Sequence, residues 1–177
     1  MEETEGTEPA VDQEPQIDPQ RLEELNQRLV SEQNLPLAIV AGLVSSLIGA
    51  AAWAAVSVIS GYQLGLMAIA VGVLVGLAVR HLGKGISPIY SVIGAGFALF
   101  GCLFGNILTI ASYLAEETEM TYGAALSQML GSPEMIVKLM SMTFSPMDLI
   151  FYAIAIYEGY KLALRQLTEK DLREITA

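Results

Sequence analysis

Four apolar stretches, residues 37–59, 64–80, 89–114 and 147–165, interrupt an acidic chain, and the basic residues are shared unequally between the two sides those stretches imply. The first carries no charge over 23 residues, enough to cross a hydrocarbon layer of about 30 Å at roughly 1.5 Å per residue. The second is short and needs Gln63 and Arg80 near the interfaces. The fourth is less pure, since it holds Asp148, Glu158 and Lys161. Together they predict an all-α fold: a polytopic integral membrane protein, a four-transmembrane-helix bundle with short interfacial helices.

Four crossings place both termini and the loop "RHLGKGISP" on one side. That side carries Arg21, Arg28, Arg80, Lys84, Lys161, Arg165, Lys170 and Arg173, and the other only Lys138. Bases near the spans mark the cytoplasmic face, so both termini are expected in the cytoplasm. The first 20 residues contain seven acids and no base, unlike the basic n-region of a secretory signal. The first span is therefore expected to act as an uncleaved anchor. Aromatic residues fit the same orientation, with Tyr62, Tyr113 and Tyr122 at the outer interface and Tyr90 and Tyr160 at the inner.

With 53% hydrophobic residues and a mean hydropathy of +0.51, the chain confines its charge largely to its ends. A net charge of -10 argues against nucleic acid, because no continuous basic face could neutralise phosphates. Cys102 is the only cysteine and His81 the only histidine, which leaves no internal disulfide, no cysteine cluster and no histidine metal site. Cys102 reads as a small hydrophobe. No cofactor is expected.

Residues 1–17 are acidic and proline-bearing and are expected to be disordered. Asp18-Pro19 then has the form of a helix start, opening a cytoplasmic amphipathic helix within 18–35. Its stripe of Leu22, Leu25, Leu29 and Val30 would lie on the membrane surface or dock on the C-terminal tail, residues 166–177. Pro36 ends that helix or begins the next. On the opposite side, residues 115–145 form an outer segment that fits two short helices, 122–130 and 133–142. These would lie flat in the interface or fold over the bundle mouth. Met135, Ile136, Leu139 and Met140 give the second an apolar face, and a thioether metal site is the sharper alternative to simple packing. Ser87-Pro88, Ser132-Pro133 and Ser145-Pro146 each combine a hydroxyl cap with a first-turn proline. Asp148, in the first turn of the fourth span, reads as a capping residue favoured by the helix dipole.

Small residues recur at four-residue intervals: Gly42, Ser46, Ala50 and Ala54 in the first span, Ala68, Gly72 and Gly76 in the second. The third carries Gly94 and Ala98, with Gly101 and Gly105. Such stripes let helix backbones approach closely in lipid. They serve packing within the bundle or a homo-oligomer formed through the small-residue faces.

Polar residues inside a span are costly and mark candidate functional positions. Asn106 forms an interhelical bond or lines a polar path. Glu158 and Lys161, three apart on one helix, are expected to pair, with Lys161 snorkelling to the cytoplasmic interface; the alternative is a titratable group on a proton or cation path. Gly83-Lys84-Gly85 lacks the rest of a phosphate-loop pattern. No catalytic motif is present either, and the chain is not expected to be an enzyme.

The runs "GYQLGLMAIAVGVLVGLAVRHLGKG", "IGAGFALFGCLFGNILT" and "DLIFYAIAIYEGYKLALR" resemble a group of uncharacterised bacterial four-span inner-membrane proteins, over roughly Leu37 to Arg165. Some members of that group carry an N-terminal zinc ribbon, and this chain departs from them in having no Cys or His in its N-terminal tail. The resemblance implies a bacterial inner-membrane location and brings no activity and no site residues. Two functions fit the sequence: a structural or accessory membrane component that binds a protein partner, and a small channel or transporter subunit with a path through Glu158 and Asn106.

Overall fold

The structure is a computed structural model and describes residues 18–61 and 65–175. The expected disordered tail, residues 1–17, and the expected turn residues Tyr62 and Gln63 lie outside them. Eight helices follow one another among the described residues: α1 (Pro19–Ser31), α2 (Leu35–Ser60), α3 (Leu66–Gly83), α4 (Pro88–Glu117), α5 (Tyr122–Leu130), α6 (Pro133–Thr143), α7 (Pro146–Leu162) and α8 (Glu169–Ile175). No strand is present among them.

Helix starts follow local chemistry. The Asp18 carboxylate accepts from Gln20 N at 2.9 Å. Asn34 accepts from Leu37 N at 2.9 Å and Pro36 occupies the first turn of α2. Thr121 caps α5 through Ala124 N at 3.4 Å. Pro88, Pro133 and Pro146 all stand in first turns, where the missing N–H is an orphan in any case. The hydroxyl caps expected at Ser87 and Ser132 are not made. There the proline alone, with its fixed φ, sets the start.

The described chain forms two compact units, residues 18–28 with 167–175, and Leu29–Gln166. In the first, Asp18 N donates to the Ile175 carbonyl at 3.0 Å. Asp171, almost fully buried, accepts from Arg28 Nη2 at 3.1 Å and from Thr168 N at 2.9 Å. The N-terminal helix thus docks on the C-terminal tail, the second of the two placements its apolar stripe allowed.

The second unit is a bundle of α2, α3, α4 and α7. α3 and α4 touch one another and both of the others, whereas the backbones of α2 and α7 do not meet. α5 packs on α4, and α6 on α4 and α5. The packing is inverted relative to a water-soluble core. The inside of α2 is largely small, with Ala38, Ala41, Ser46 and Ala50 buried, and its outside is large and apolar, with Val40 55% and Ile48 58% exposed. Three helices, α2, α3 and α4, are long and apolar enough to cross a membrane. A fourth span exists if α6 and α7 count as one broken span, for they meet at a bend of 107°. The expected fourth span, 147–165, is thus shorter than read: α7 has 17 residues, about 26 Å. α4 runs on past the expected limit of 114 to Glu117, 30 residues in all and about 45 Å. Its far end carries α5 and α6.

The small-residue stripes are used inside the chain. A Cβ on Gly72 would stand 2.3 Å from the Ala155 carbonyl oxygen, one on Gly76 2.8 Å from Leu162 Cβ, and one on Gly101 2.7 Å from Val71. Gly94 and Gly159 press on each other's backbones. Ala155 and Gly159 of α7, with Ala163 at its C-cap, have the same four-residue spacing and receive Gly72 and Gly94, whereas Gly101 packs on Val71 of α3.

One end of the bundle is knitted by hydrogen bonds across chain segments. Asn34 N donates to the Gly83 carbonyl at 2.9 Å and Arg165 N to the Gly85 carbonyl at 2.8 Å. Arg165 Nη1 lies 2.7 Å from Glu32 Oε2. The glycines of the α3–α4 loop bring the backbone under Tyr90, since a Cβ on Gly85 would fall inside the Tyr90 ring. Tyr90, expected at the inner interface, is buried against this loop. Lys84 between them takes φ 49° and closes α3 through Arg80 O.

Candidate functional site

Two groups of polar side chains stand out in the bundle. The first is internal. Asn106, on the buried face of α4, donates through Nδ2 to the Tyr152 hydroxyl of α7 at 2.8 Å. Tyr152 donates in turn to the Cys102 carbonyl at 3.3 Å. Tyr152 also makes two T-shaped ring contacts, with Trp53 of α2 at 6.3 Å and Phe144 at 5.7 Å between centroids. Trp53 is 2% exposed, so one ring reaches across from α2 to α7 where their backbones do not. Gly105 makes room for it, with an added Cβ at 3.3 Å from the indole. Asn106 therefore serves as an interhelical bond between α4 and α7. Cys102 is fully buried, with Sγ 3.9 Å from the Ala68 carbonyl, and packs as a small hydrophobe.

Two further groups of this region lack partners. Trp53 Nε1 and Ser57 Oγ, one turn apart on the buried face of α2, are both buried without a hydrogen bond among the described residues. The Ser57 carbonyl, by contrast, accepts from Tyr113 Oη at 3.5 Å. Trp53, Ser57 and Tyr152 went unread in the sequence. The lone tryptophan with a serine four residues on, inside an uncharged span, was the available signal.

The second place is the outward face of α7 near its C-terminal end. Glu158 is half-buried, and its carboxylate makes no ion pair or hydrogen bond among the described residues. The expected Glu158–Lys161 pair does not form. Lys161 Nζ instead lies 5.6 Å from the centroid of the Tyr157 ring. Residues four apart stand above one another on a helix, and side chains tilt toward its N-terminus. Lys161 thus folds back onto Tyr157, while Glu158 lies about 60° round the helix, toward α3. The same contact turns Lys161 away from the helix end to which it was expected to snorkel.

Asp148 belongs to neither place. Its Oδ2 accepts from Ser145 N at 2.8 Å, closing the start of α7. Three methionines of the α5–α6 segment are structural in their contacts: Met129 is buried with Ile110 and Ala111, and Met135 and Met140 pack against them, whereas Met142 is exposed. The structure does not bring Glu158 and Asn106 together. Asn106 bonds the buried face of α7 at Tyr152, about 9 Å along the helix from Glu158 and on a different side of it.

Compared with protein-family models, with curated proteins and with solved structures, the chain matches none.

Proposed function

We propose that this chain is a structural or accessory component of a bacterial inner membrane, crossing it four times with α2, α3, α4 and α7 and holding both termini in the cytoplasm. It is not an enzyme. It works by presenting the α1–α8 helix pair to a protein partner, and the bundle holds the chain in the bilayer. The observation that carries this reading is the terminal unit itself. The two ends of the chain, far apart in sequence, are joined through the buried Asp171 and Arg28, while Leu22 and Val30 of α1 remain exposed apolar residues.

Site-specific photo-crosslinking tests it. A crosslinker at Leu22 or Val30 of the full chain in native membranes should give a defined adduct that survives Glu158→Gln and Asn106→Leu and disappears when residues 167–177 are removed. The competing reading, a channel or transporter subunit, predicts the reverse: flux in proteoliposomes that Glu158→Gln abolishes and tail removal spares. The bond between Asn106 and Tyr152 favours the accessory reading, because it uses a buried amide to hold α4 on α7.

A further inference from the structure

We propose that the outward face of α7 is a self-association surface on which the Glu158 carboxylate of each copy takes the Lys161 ammonium of a second copy. The inference rests on α7 crossing the membrane, as in the functional reading above. It replaces the small-residue faces as the route to an oligomer, since those faces are filled within one chain.

Three observations carry it. The first is that Glu158 has no partner among the described residues although it lies four residues inside the end of α7. A carboxylate in hydrocarbon demands a counter-charge, and the tilt of helix side chains aims this one toward the middle of the span rather than to its end. The second is the direction of Lys161, whose ammonium folds back over Tyr157. The fold-back brings the ammonium from its own turn toward the level of Glu158, while the two remain separated around the helix. The third is the surface on which they stand. Ile150 is 56% and Tyr157 57% exposed; with the half-buried Ile154 and the exposed Lys161 they form an i, i+4, i+7, i+11 stripe, and Glu158 borders it on one side.

Copies inserted by the same topology run parallel in one membrane. A two-fold axis along the membrane normal therefore brings like depths together and sets each Glu158 opposite the other copy's Lys161, an isologous arrangement. Two ion pairs form from charges that one chain leaves unmatched, and salt hardly screens them at that depth. Charge complementarity selects a second copy over a lipid, which offers no fixed base at this level.

The full chain in lipid vesicles, labelled for energy transfer between copies, provides the test. The parent should dimerise. Glu158→Lys alone and Lys161→Glu alone should each weaken association at least tenfold, because each places like charges in contact. Mixing the two single variants should restore transfer to the parent level, since one supplies only bases at this face and the other only acids. Mixed variants that associate no better than either alone would overturn the proposal, as would a parent that stays monomeric or single variants that dimerise like the parent. If either reversal lowers the melting temperature, Glu158→Gln and Lys161→Gln replace them, and each must still weaken the dimer. Failure of the span itself shows separately: cysteines at Met147 and Gln166 would then react with an impermeant reagent from the same side.

Discussion

Gly72 and Gly96 lie in adjoining helices and look alike in sequence, but their surroundings oppose each other. A Cβ on Gly72 runs into the Ala155 backbone, whereas one on Gly96 meets nothing within 4 Å. Gly72→Ala should therefore destabilise the bundle by about 1–3 kcal/mol, the usual cost of overpacking. Gly96→Ala should stabilise it by about 0.5–1 kcal/mol through the lost freedom of glycine in the unfolded chain. Denaturation in mixed micelles measures both, and equal effects would contradict the packing described. Spacing alone marked Gly72 and Gly76 as close-approach positions, because backbone contact in lipid needs small side chains at helical intervals. The partner of Asn106 was not legible. Tyr152 is 46 residues away, and nothing local records which ring faces which amide. The same holds for Lys161, where two partners at helical spacing, Glu158 and Tyr157, were both available and rotamer direction chose the ring.

Among the elements, α7 is the most dependent on its start. Pro146 fixes the first turn, and Asp148 returns a hydrogen bond to the Ser145 amide at 2.8 Å. That pairing lies at the break where α6 and α7 meet at a bend of 107°. Asp148→Ala should cost about 1 kcal/mol, and Asp148→Asn, which keeps an oxygen acceptor, clearly less. Thermal unfolding in micelles separates the two, and a variant pair with equal loss would show that the carboxylate acts by some route other than the cap. The ends of α5 and α6 were readable from Gly131, Ser132-Pro133 and Ser145-Pro146, since proline cannot continue a helix from within. The angle at which α6 leaves α7 was not, because it is set by packing of Met135, Ile136, Leu139 and Met140 on α4 and α5.

The whole molecule combines a bundle whose inside is small with a terminal unit held by a charged pair. Removing Asp171 should loosen the second without touching the first. In Asp171→Ala, amide exchange in residues 19–28 and 169–175 should quicken by about tenfold, as expected for loss of about 1.5 kcal/mol of charge-assisted bonding with a partly exposed Arg28. Residues 35–60 and 66–83 should keep their parent rates. Uniform acceleration along the chain would mean that the two units open together. By itself the sequence determined the helical class, the apolar runs, the breaks at Ser-Pro and the close-approach glycines, because helical period, proline stereochemistry and the length of an apolar run act locally. Only the tertiary structure decided that α2 and α7 lie on opposite sides of α3 and α4, that a single tryptophan ring bridges them to Tyr152, and that Glu158 and Lys161 stand apart. Those outcomes depend on which faces meet, and a face acquires its partner only when the helices pack. The uneven spread of bases around the apolar runs therefore names the end of α7 where the two charges lie, and the fold leaves them for a neighbour.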